Sequence, residues 1–181
     1  MDLTDIIRFT FERVWWTVDQ ALDGLTDEEI ARRPNGHSNS IGWIAWHMAR
    51  VEDRWFQMVL QEKPQLWESE WAAKLGMPAD PNYAGGGMTP EDVDKFKTPT
   101  VQQIKDYSRA ARQATSDYVN KVQPEQFDKA IDTFFGRRMT IGEIFGHVLC
   151  ELNQHAGQVS YLKGYYQGYQ GRVIPPPPKS Q

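Results

Sequence analysis

The sequence is poor in several features that define whole classes of protein. One cysteine among 181 residues excludes an internal disulfide. No window combines the length of a membrane span with an uncharged apolar composition, so we expect no transmembrane helix and no membrane partner. The N-terminal segment MDLTDIIRFTFERVWW carries charges at short intervals, where a signal peptide would need an apolar run. These absences predict a cytoplasmic protein.

A strong excess of positive charge is also missing. The chain has 20 Lys and Arg against 24 Asp and Glu, which gives a net charge of −4 at pH 7. Proteins that bind duplex nucleic acid usually present a broad cationic surface, so nucleic acid is not an expected partner. Large apolar side chains are plentiful, with seven Trp, eight Phe and seven Tyr. At this length they predict one globular domain with a packed core.

Apolar residues recur with the period of an α-helix in four long segments, at residues 2–22, 40–60, 100–122 and about 140–166. The pattern of the first segment includes Leu3, Ile6 and Phe9. Thr100 and Thr140 are N-cap candidates for the third and fourth segments. A shorter helical turn, LTDEEIARRP, follows the first segment, and FFGRR predicts a small hairpin that turns at Gly136.

Residues 61–99, which we call the connection, differ in composition from the helical segments. They begin with the amphipathic LWESEWAAKL and continue with GMPADPNYAGGGMTPEDVDKFKTP, which is rich in Gly, Pro and Asp. This predicts a long crossover with one short helix at its start, and such segments usually carry function or a partner surface. The glycines at 85–87 lack the strand and helix of a phosphate-binding loop, so we assign them no role.

Four long amphipathic helices with one crossover between the second and third predict an all-α fold, a four-helix bundle. We expect this domain to occupy residues 1–170. Residues 171–181 contain four consecutive prolines and are predicted to form an extended or disordered tail.

The fourth helix carries three polar residues at intervals of four, His147, Glu151 and His155, among apolar neighbours. A buried carboxylate there requires a cation or several hydrogen-bond donors. Residues i and i+4 are about 6 Å apart along the axis and residues i and i+8 about 12 Å, so one ion would contact Glu151 and only one of these histidines. His47, in the middle of helix two, is the candidate third ligand. Such a set leaves coordination positions open, as in catalytic zinc sites.

Each residue also has a simpler interpretation. His47 is compatible with a hydrogen-bonded core histidine, and Glu151 with a metal-free ion pair to a protonated His155. His37 lies in a polar loop and is expected to be exposed, and Cys150 is expected to fill the core. The tryptophans of the helical faces are expected to be mainly core, with one or two lining a pocket above the ion: Trp15, Trp16, Trp43, Trp46 and Trp55.

The helix-two phrase IGWIAWHMARVEDRWF and the helix-four phrase GHVLCELNQHAGQVSYLKG resemble the DinB-like family of metal-binding four-helix bundles. The resemblance extends to about Gly164. It implies one ligand from the middle of helix two, matching His47, and two from helix four, matching Glu151 and His155. Most members have His in place of Glu151, and the Glu form is similar to the branch with mycothiol-dependent enzymes such as maleylpyruvate isomerase. The Arg common after the last ligand is Ala156 here.

This resemblance implies a metal-dependent thiol S-transferase or thiol-dependent isomerase, in which the ion lowers the pKa of a bound thiol or water. The thiol would be mycothiol, bacillithiol or glutathione. Zn is the first expectation for the divalent ion, and Ni, Fe and Mn are compatible with mixed N and O ligands. His147 would lie outside the ligand set, either as a packing residue or as a residue that orients a ligand. The family habit implies a homodimer. The alternative is a non-catalytic stress-response or interaction protein whose metal only closes the bundle.

Overall fold

The computed structural model describes residues 2–168 as seven α-helices and one short hairpin. The helices are α1 Leu3–Leu22, α2 Asp27–Ala31, α3 Ile41–Asp53, α4 Ala72–Leu75, α5 Pro90–Lys95, α6 Val101–Val119 and α7 Ile141–Gln167. Two π-helical segments are present: Arg54–Val59 continues α3, and Trp67–Trp71 leads into α4. A 3-10 turn spans Pro124–Gln126. Strands β1 Ala130–Asp132 and β2 Arg138–Thr140 precede α7. The predicted tail at 171–181 lies outside the described residues.

Side-chain caps set the beginnings of the long helices. Ser40 accepts a hydrogen bond from the backbone N–H of Trp43 at the start of α3. Capping boxes begin α6, with Thr100 as its N-cap, and α7, where Thr140 pairs with Glu143. Each cap satisfies backbone N–H groups that have no partner within the helix. The predicted starts of the second, third and fourth long helices are therefore confirmed.

The helices α1 and α7 run in the same direction along the bundle. The Lys163 amino group, near the end of α7, donates to the carbonyls of Gln20 and Asp23, at the end of α1. In the N-terminal halves of the two helices, the rings of Phe11 and Phe145 meet edge to face.

The helices α3 and α6 run opposite to α1. Four contacts establish these directions: Trp15–Glu52 and Phe11–Phe56 for α3, and Arg112–Asp19 and Lys105–Asp23 for α6. Because α3 and α6 are parallel, the chain must travel back along the bundle between them. The connection provides this crossover, and the predicted four-helix bundle is confirmed.

Every residue of α3, from Ile41 to Asp53, is buried. The sequence pattern predicted one apolar face for this helix, and that prediction was incomplete. The helices α6 and α7 contact α3 along its length, and the connection covers a further side through stacked and tilted rings such as Trp46 with Tyr83. The buried polar side chains of α3 therefore need partners inside the protein.

The apolar pattern of α1 was too broad. Leu3, Ile6 and Phe9 are 51%, 50% and 42% exposed, respectively. The face that α1 buries includes Phe11 and Trp15. The pattern was misread because apolar residues occur on both sides of this helix near its N-terminus, and within residues 2–168 only one of these sides packs against other helices.

The connection has more structure than predicted. The short helix at its start is confirmed by the segment Trp67–Leu75. The helix α5 was missed, although Thr89 is its N-cap, Pro90 its first residue and Asp92 the capping-box partner. The predicted hairpin is confirmed, with Gly136 at φ +72° in its turn. Within residues 2–168, no helix has the length and apolar composition needed to cross a bilayer.

Candidate metal centre

Three side chains from two helices converge near the middle of the bundle. One ligand atom from each of His47, Glu151 and His155 lies within 4.8 Å of the others. His47 Nε2 is 3.4 Å from Glu151 Oε1, and the rings of His47 and His155 are perpendicular with centroids 5.0 Å apart. The spacing in the sequence left open which helix-four histidine accompanies Glu151, and the structure places His155 there.

The connection holds the ring of His47 in one orientation. His47 Nδ1 forms a hydrogen bond with the backbone carbonyl of Ala84. A carbonyl oxygen can only accept, so Nδ1 carries the proton. In the neutral imidazole, the lone pair is then on Nε2, which faces Glu151. Sequence reasoning missed this contact, because Ala84 has no polar side chain that would mark it.

Gly85 allows the connection to approach His47 this closely. Its φ of +96° lies in a region that residues with a side chain rarely adopt. A Cβ atom at Gly85 would be 2.8 Å from His47 Nδ1 and 2.8 Å from the ring of Trp43. The ring of Trp43 also stacks on the ring of His47, with their centroids 5.0 Å apart. The glycines at 85–87 therefore include one that shapes the site.

Gln158 orients the second histidine. His155 Nδ1 lies 2.8 Å from Gln158 Oε1, one turn further along α7. With the amide oxygen as acceptor, His155 carries its proton on Nδ1 and presents Nε2 to the cluster. The HAGQ sequence was the signal for this pair, because residues three apart on a helix are neighbours.

The arrangement of protons leaves a place for a cation. An imidazole nitrogen without a proton repels a carboxylate oxygen at the 3.4 Å that separates His47 Nε2 from Glu151 Oε1. A cation between them removes this repulsion, and neutral imidazole with carboxylate is a usual donor set for divalent metals. The side chains therefore fit a metal ion.

The ionisation of the site favours the same conclusion. Burial raises the pKa of the Glu151 carboxyl, but a hydrogen bond from a protonated His47 and the charges of the three neighbouring histidines together outweigh burial and lower the net pKa. A cation at the Nε2 of neutral His47 would act on Glu151 in the same direction. Burial lowers the pKa of His155, and its pair with Gln158 only partly opposes that effect. Ionised Glu151 and neutral His155 are the forms that bind metals. A lowered His155 pKa disfavours the metal-free pairing of Glu151 with protonated His155.

His147 lies beside the cluster and outside it. Its Nε2 is 3.6 Å from Glu151 Oε2, while His47 contacts the other carboxylate oxygen, Oε1. The ring of Trp55 meets it edge to face at 5.3 Å, and Phe135 contacts it at 6.2 Å. His147 therefore lies next to Glu151, and its role in orienting that carboxylate stays a prediction.

The other candidates have mixed outcomes. His37 is exposed, as predicted. Cys150 is also exposed, so the prediction that it fills the core was wrong. The rotation of about 100° that separates neighbours on a helix carries Cys150 from the side of Glu151 to solvent. Trp43 is the predicted tryptophan that borders the site, while Trp46 belongs to the core.

A buried arginine fixes the part of the connection that reaches His47. Arg50 is fully buried and donates to the carbonyls of Tyr83, at 3.0 Å, and Pro81, at 3.1 Å. It also donates to the hydroxyl of Tyr107 at 3.2 Å. Tyr83 directly precedes Ala84, so Arg50 positions the carbonyl that binds His47. The sequence offered no signal for this role, because an arginine within an amphipathic helix is usually an exposed surface residue.

Asp53 completes this buried network. Its carboxylate accepts hydrogen bonds from the backbone N–H groups of Leu66, at 2.9 Å, and Trp67, at 2.8 Å. Tyr107 donates its hydroxyl to the same carboxylate at 2.8 Å, and Arg50 lies 3.4 Å away. The network therefore links α3 to Tyr107 on α6 and to two parts of the connection, residues 66–67 and 81–83.

Comparison with known proteins agrees with this architecture. A profile of the DinB superfamily matches residues 10–159, which is most of the chain. The chain belongs to the DinB superfamily. A crystal structure of a conserved protein from Enterococcus faecalis is similar to it with a TM-score of 0.82, at 24% identity, over 93% of this chain and 99% of that one. This neighbour supports the DinB-like fold alone. No protein among those with curated descriptions is significantly similar in sequence.

Proposed function

We propose that this DinB superfamily protein binds one divalent metal ion through His47 Nε2, Glu151 Oε1 and His155 Nε2. The observation that carries the proposal is the orientation of the two imidazoles. Ala84 and Gln158 occupy both Nδ1 atoms, so both Nε2 atoms are left for an ion beside a carboxylate. Protein partners of this kind fix the tautomer and direction of metal-bound histidines.

Two nitrogens and one oxygen do not select a single metal. Zn²⁺ accepts this set readily in catalytic sites, and it is our first expectation. Ni, Fe and Mn also accept mixed nitrogen and oxygen ligands. Three protein ligands leave at least one coordination position for water or a ligand.

We further propose that the protein is a metal-dependent thiol S-transferase or thiol-dependent isomerase. A bound ion would supply a lowered pKa for a thiol or water in the open position. The half-buried Glu151, 27% of whose side chain is exposed, supports access from solvent. The proposed partner is a low-molecular-weight thiol such as mycothiol, bacillithiol or glutathione. We also propose a cytoplasmic location, from the single cysteine and the charged N-terminal segment, and a homodimer, from the family resemblance.

The second candidate function is a non-catalytic stress-response or interaction protein with a structural metal. The observation that favours it is that the site joins α3, α7 and, through Ala84, the connection. An ion there would stabilise the bundle without any reaction. The two functions differ in whether an outside ligand reaches the ion.

Metal content measured by plasma mass spectrometry tests the ion directly. We expect about one ion per chain in tag-free protein and a large loss in His47→Ala and Glu151→Ala. His37→Ala is the matched control, because this histidine is exposed and does not belong to the cluster. Wild-type protein that holds no ion after reconstitution with Zn, Ni and Mn would contradict the proposal.

Cobalt spectroscopy separates the two functions. In protein reconstituted with Co²⁺, a thiol that binds the ion should add an intense thiolate-to-metal absorption band. A band that saturates with thiol concentration favours the enzyme. A cobalt spectrum that no thiol changes, in protein with full metal content, favours the structural role.

A further inference from the structure

A cavity of about 70 Å³ lies between α1, α3 and α6. Glu52 of α3 and Thr115 of α6 line it, and both are buried. The exposed Glu12 of α1 lines it as well, so the cavity reaches the surface. Glu52 follows His47 by five residues, which rotates it by about 140° around the helix. This cavity, called the α1 cavity below, therefore lies on a different side of α3 from the candidate metal centre.

Two buried oxygen atoms of the α1 cavity lack partners. Trp15 donates its indole N–H to Glu52 Oε2. Among the described residues, Glu52 Oε1 and Thr115 Oγ1 have no hydrogen-bond partner. Burial raises the pKa of Glu52, and the nearby Thr115 hydroxyl partly opposes this effect. Since buried polar atoms are normally hydrogen-bonded, these two oxygens need a donor that the chain does not supply.

The uncompensated charge around the α1 cavity is negative. Its two arginines, Arg8 and Arg112, already pair with aspartates of α1, at 2.7 Å and 2.8 Å. Glu12 and Glu52 also line the cavity, and neither forms an ion pair within residues 2–168. The charge of Arg112 favours ionised Glu52, but less than burial disfavours it. The charge that this cavity can still neutralise is therefore that of a cation.

Most of the surface of the α1 cavity is apolar. Phe11 and Trp15 of α1 and Val119 of α6 line it, and all three are buried. The volume has room for two or three waters, or for a group of about four non-hydrogen atoms. A bare metal ion would need more oxygen ligands than Glu52 and Thr115 offer. A short apolar chain that ends in a charged donor matches the lining better, because its CH₂ groups can pack against the apolar side chains.

We propose that the α1 cavity binds a small primary alkylamine in its ammonium form. The ammonium donates to Glu52 Oε1 and Thr115 Oγ1, and the alkyl chain packs against Phe11, Trp15 and Val119. The proposal is independent of the proposed function, because no candidate metal ligand lines this cavity. It gives the protein a second ligand site with a different chemistry.

The indole N–H of Trp15 reports on this site, because it donates to the Glu52 carboxyl. In nitrogen-15-labelled protein at pH 8, we expect n-propylammonium chloride to shift the Trp15 indole resonance until the shift saturates. 1-Propanol has the same chain without the charge and should shift it less, by a factor of about three or more. NaCl at equal ionic strength corrects for salt. The indole of Trp67, which donates to the carbonyl of Pro78, is the internal control and should not move.

Glu52→Gln tests the charge at nearly constant size, since glutamine can still accept the hydrogen bond from Trp15. We expect propylammonium to bind this variant about tenfold more weakly, or worse. Glu28→Gln is the matched control, because it removes an exposed charge of α2 outside the cavity and should bind as the wild type does. Urea denaturation shows whether each variant is folded.

Thr115→Val is an independent test, because it removes the hydroxyl and changes the volume little. We expect it to weaken propylammonium binding about threefold or more. Wild-type protein that responds equally to propylammonium and propanol, or saturably to neither, would overturn the proposal. A folded Glu52→Gln protein with wild-type affinity would overturn it too.

Glu151→Ala separates this proposal from the proposed function. This variant lacks a candidate metal ligand, and Glu151 does not line the α1 cavity. It should therefore lose the metal ion and bind propylammonium with wild-type affinity. Propylammonium binding in a protein that never holds a metal would support the α1 cavity and contradict the metal function. Loss of propylammonium binding in folded Glu151→Ala would overturn the placement of the amine in the α1 cavity.

Discussion

Gly85 contributes to the candidate site through the side chain it lacks. Its positive φ and the 2.8 Å approach of a hypothetical Cβ to His47 Nδ1 leave no room for alanine. Gly86 is the neighbouring residue in the same turn, and a Cβ there would have nothing within 4 Å. The two positions therefore provide a comparison that isolates the contact with His47.

We expect Gly85→Ala to weaken metal binding by about 10-fold to 100-fold, the usual effect of disturbing the partner of a metal-bound histidine. It should also lower the free energy of unfolding by about 2 kcal/mol, because alanine adopts this φ poorly. Competition with a chelating dye measures the affinity, and urea denaturation measures the stability. Gly86→Ala should change both much less. Equal affinity in the two variants would show that the Gly85 contact does not position His47.

Glu52 is an ionisable group buried on the other side of α3. Its side chain accepts a hydrogen bond from the indole N–H of Trp15, and its Oε1 has no hydrogen-bond partner among the described residues. Burial raises the pKa of Glu52 from 4.5 to about 7, against the smaller opposing effects of its donors. The folded protein therefore favours the neutral acid.

This pKa predicts a pH dependence of stability with a definite sign. Between pH 4.5 and about 7 the folded state binds this proton more tightly than the unfolded state, so the free energy of unfolding falls as pH rises and levels off above pH 7. The loss due to Glu52 is about 3 kcal/mol. Glu52→Gln should remove this part of the slope and be the more stable protein at pH 8. Parallel stability profiles of wild type and variant in urea would contradict the assignment.

The connection behaves as an ordered part of the fold because α3 supplies charged partners to its backbone. Arg50 and Asp53 bind its carbonyls and N–H groups from inside the protein. The guanidinium of Arg50 also lies over the ring of Trp67, 4.5 Å from its centroid. These contacts hold a segment rich in Gly and Pro against the bundle, with the carbonyl of Ala84 beside His47.

We expect Arg50→Met to lower the free energy of unfolding by about 3–5 kcal/mol, because it leaves Asp53 without its buried cation and two carbonyls without a donor. Metal affinity should fall as well, since Ala84 is no longer held beside His47. Arg109→Met is the control, because among the described residues Arg109 makes only an exposed pair with Asp106. Urea denaturation and the chelating-dye competition measure both effects. An Arg50→Met protein with wild-type metal affinity would show that the connection stays in place without this arginine.

At the level of the whole molecule, the proposed ion joins helices that are distant in the chain. His47 belongs to α3, while Glu151 and His155 belong to α7. An ion that binds only the folded state stabilises it by about 2.7 kcal/mol at a free concentration of 100 times its dissociation constant. The thermal midpoint should therefore depend on metal.

We expect a chelator to lower the thermal unfolding midpoint of the wild-type protein by several degrees, and added Zn²⁺ to restore it. Glu151→Ala should show neither response, because its site lacks the carboxylate. Differential scanning calorimetry with and without chelator measures the shift. A chelator that shifts wild type and Glu151→Ala equally would place the stabilising ion elsewhere.

Much of the architecture could be read from local patterns. The long helices and their starts followed from apolar periodicity and from capping residues such as Thr100 and Thr140, which act within one turn of the chain. The candidate ligands followed from the spacing of Glu151 and His155 and from a lone histidine in the middle of helix two. Each of these signals lies within a few residues of the chain, so it can be recognised before the fold is known.

Other features depended on contacts between segments far apart in the chain. Which side of α1 is buried, and whether Cys150 faces core or solvent, depend on where neighbouring helices lie. The choice of His155 over His147 depends on the position of His47 across the interface between α3 and α7. The hold of Arg50 on the connection and the close approach of Gly85 to His47 are backbone contacts. Backbone groups are nearly the same in every residue, so the sequence does not show which residue binds them. Gly85 permits its close approach to His47, but only the packed structure shows that the approach occurs.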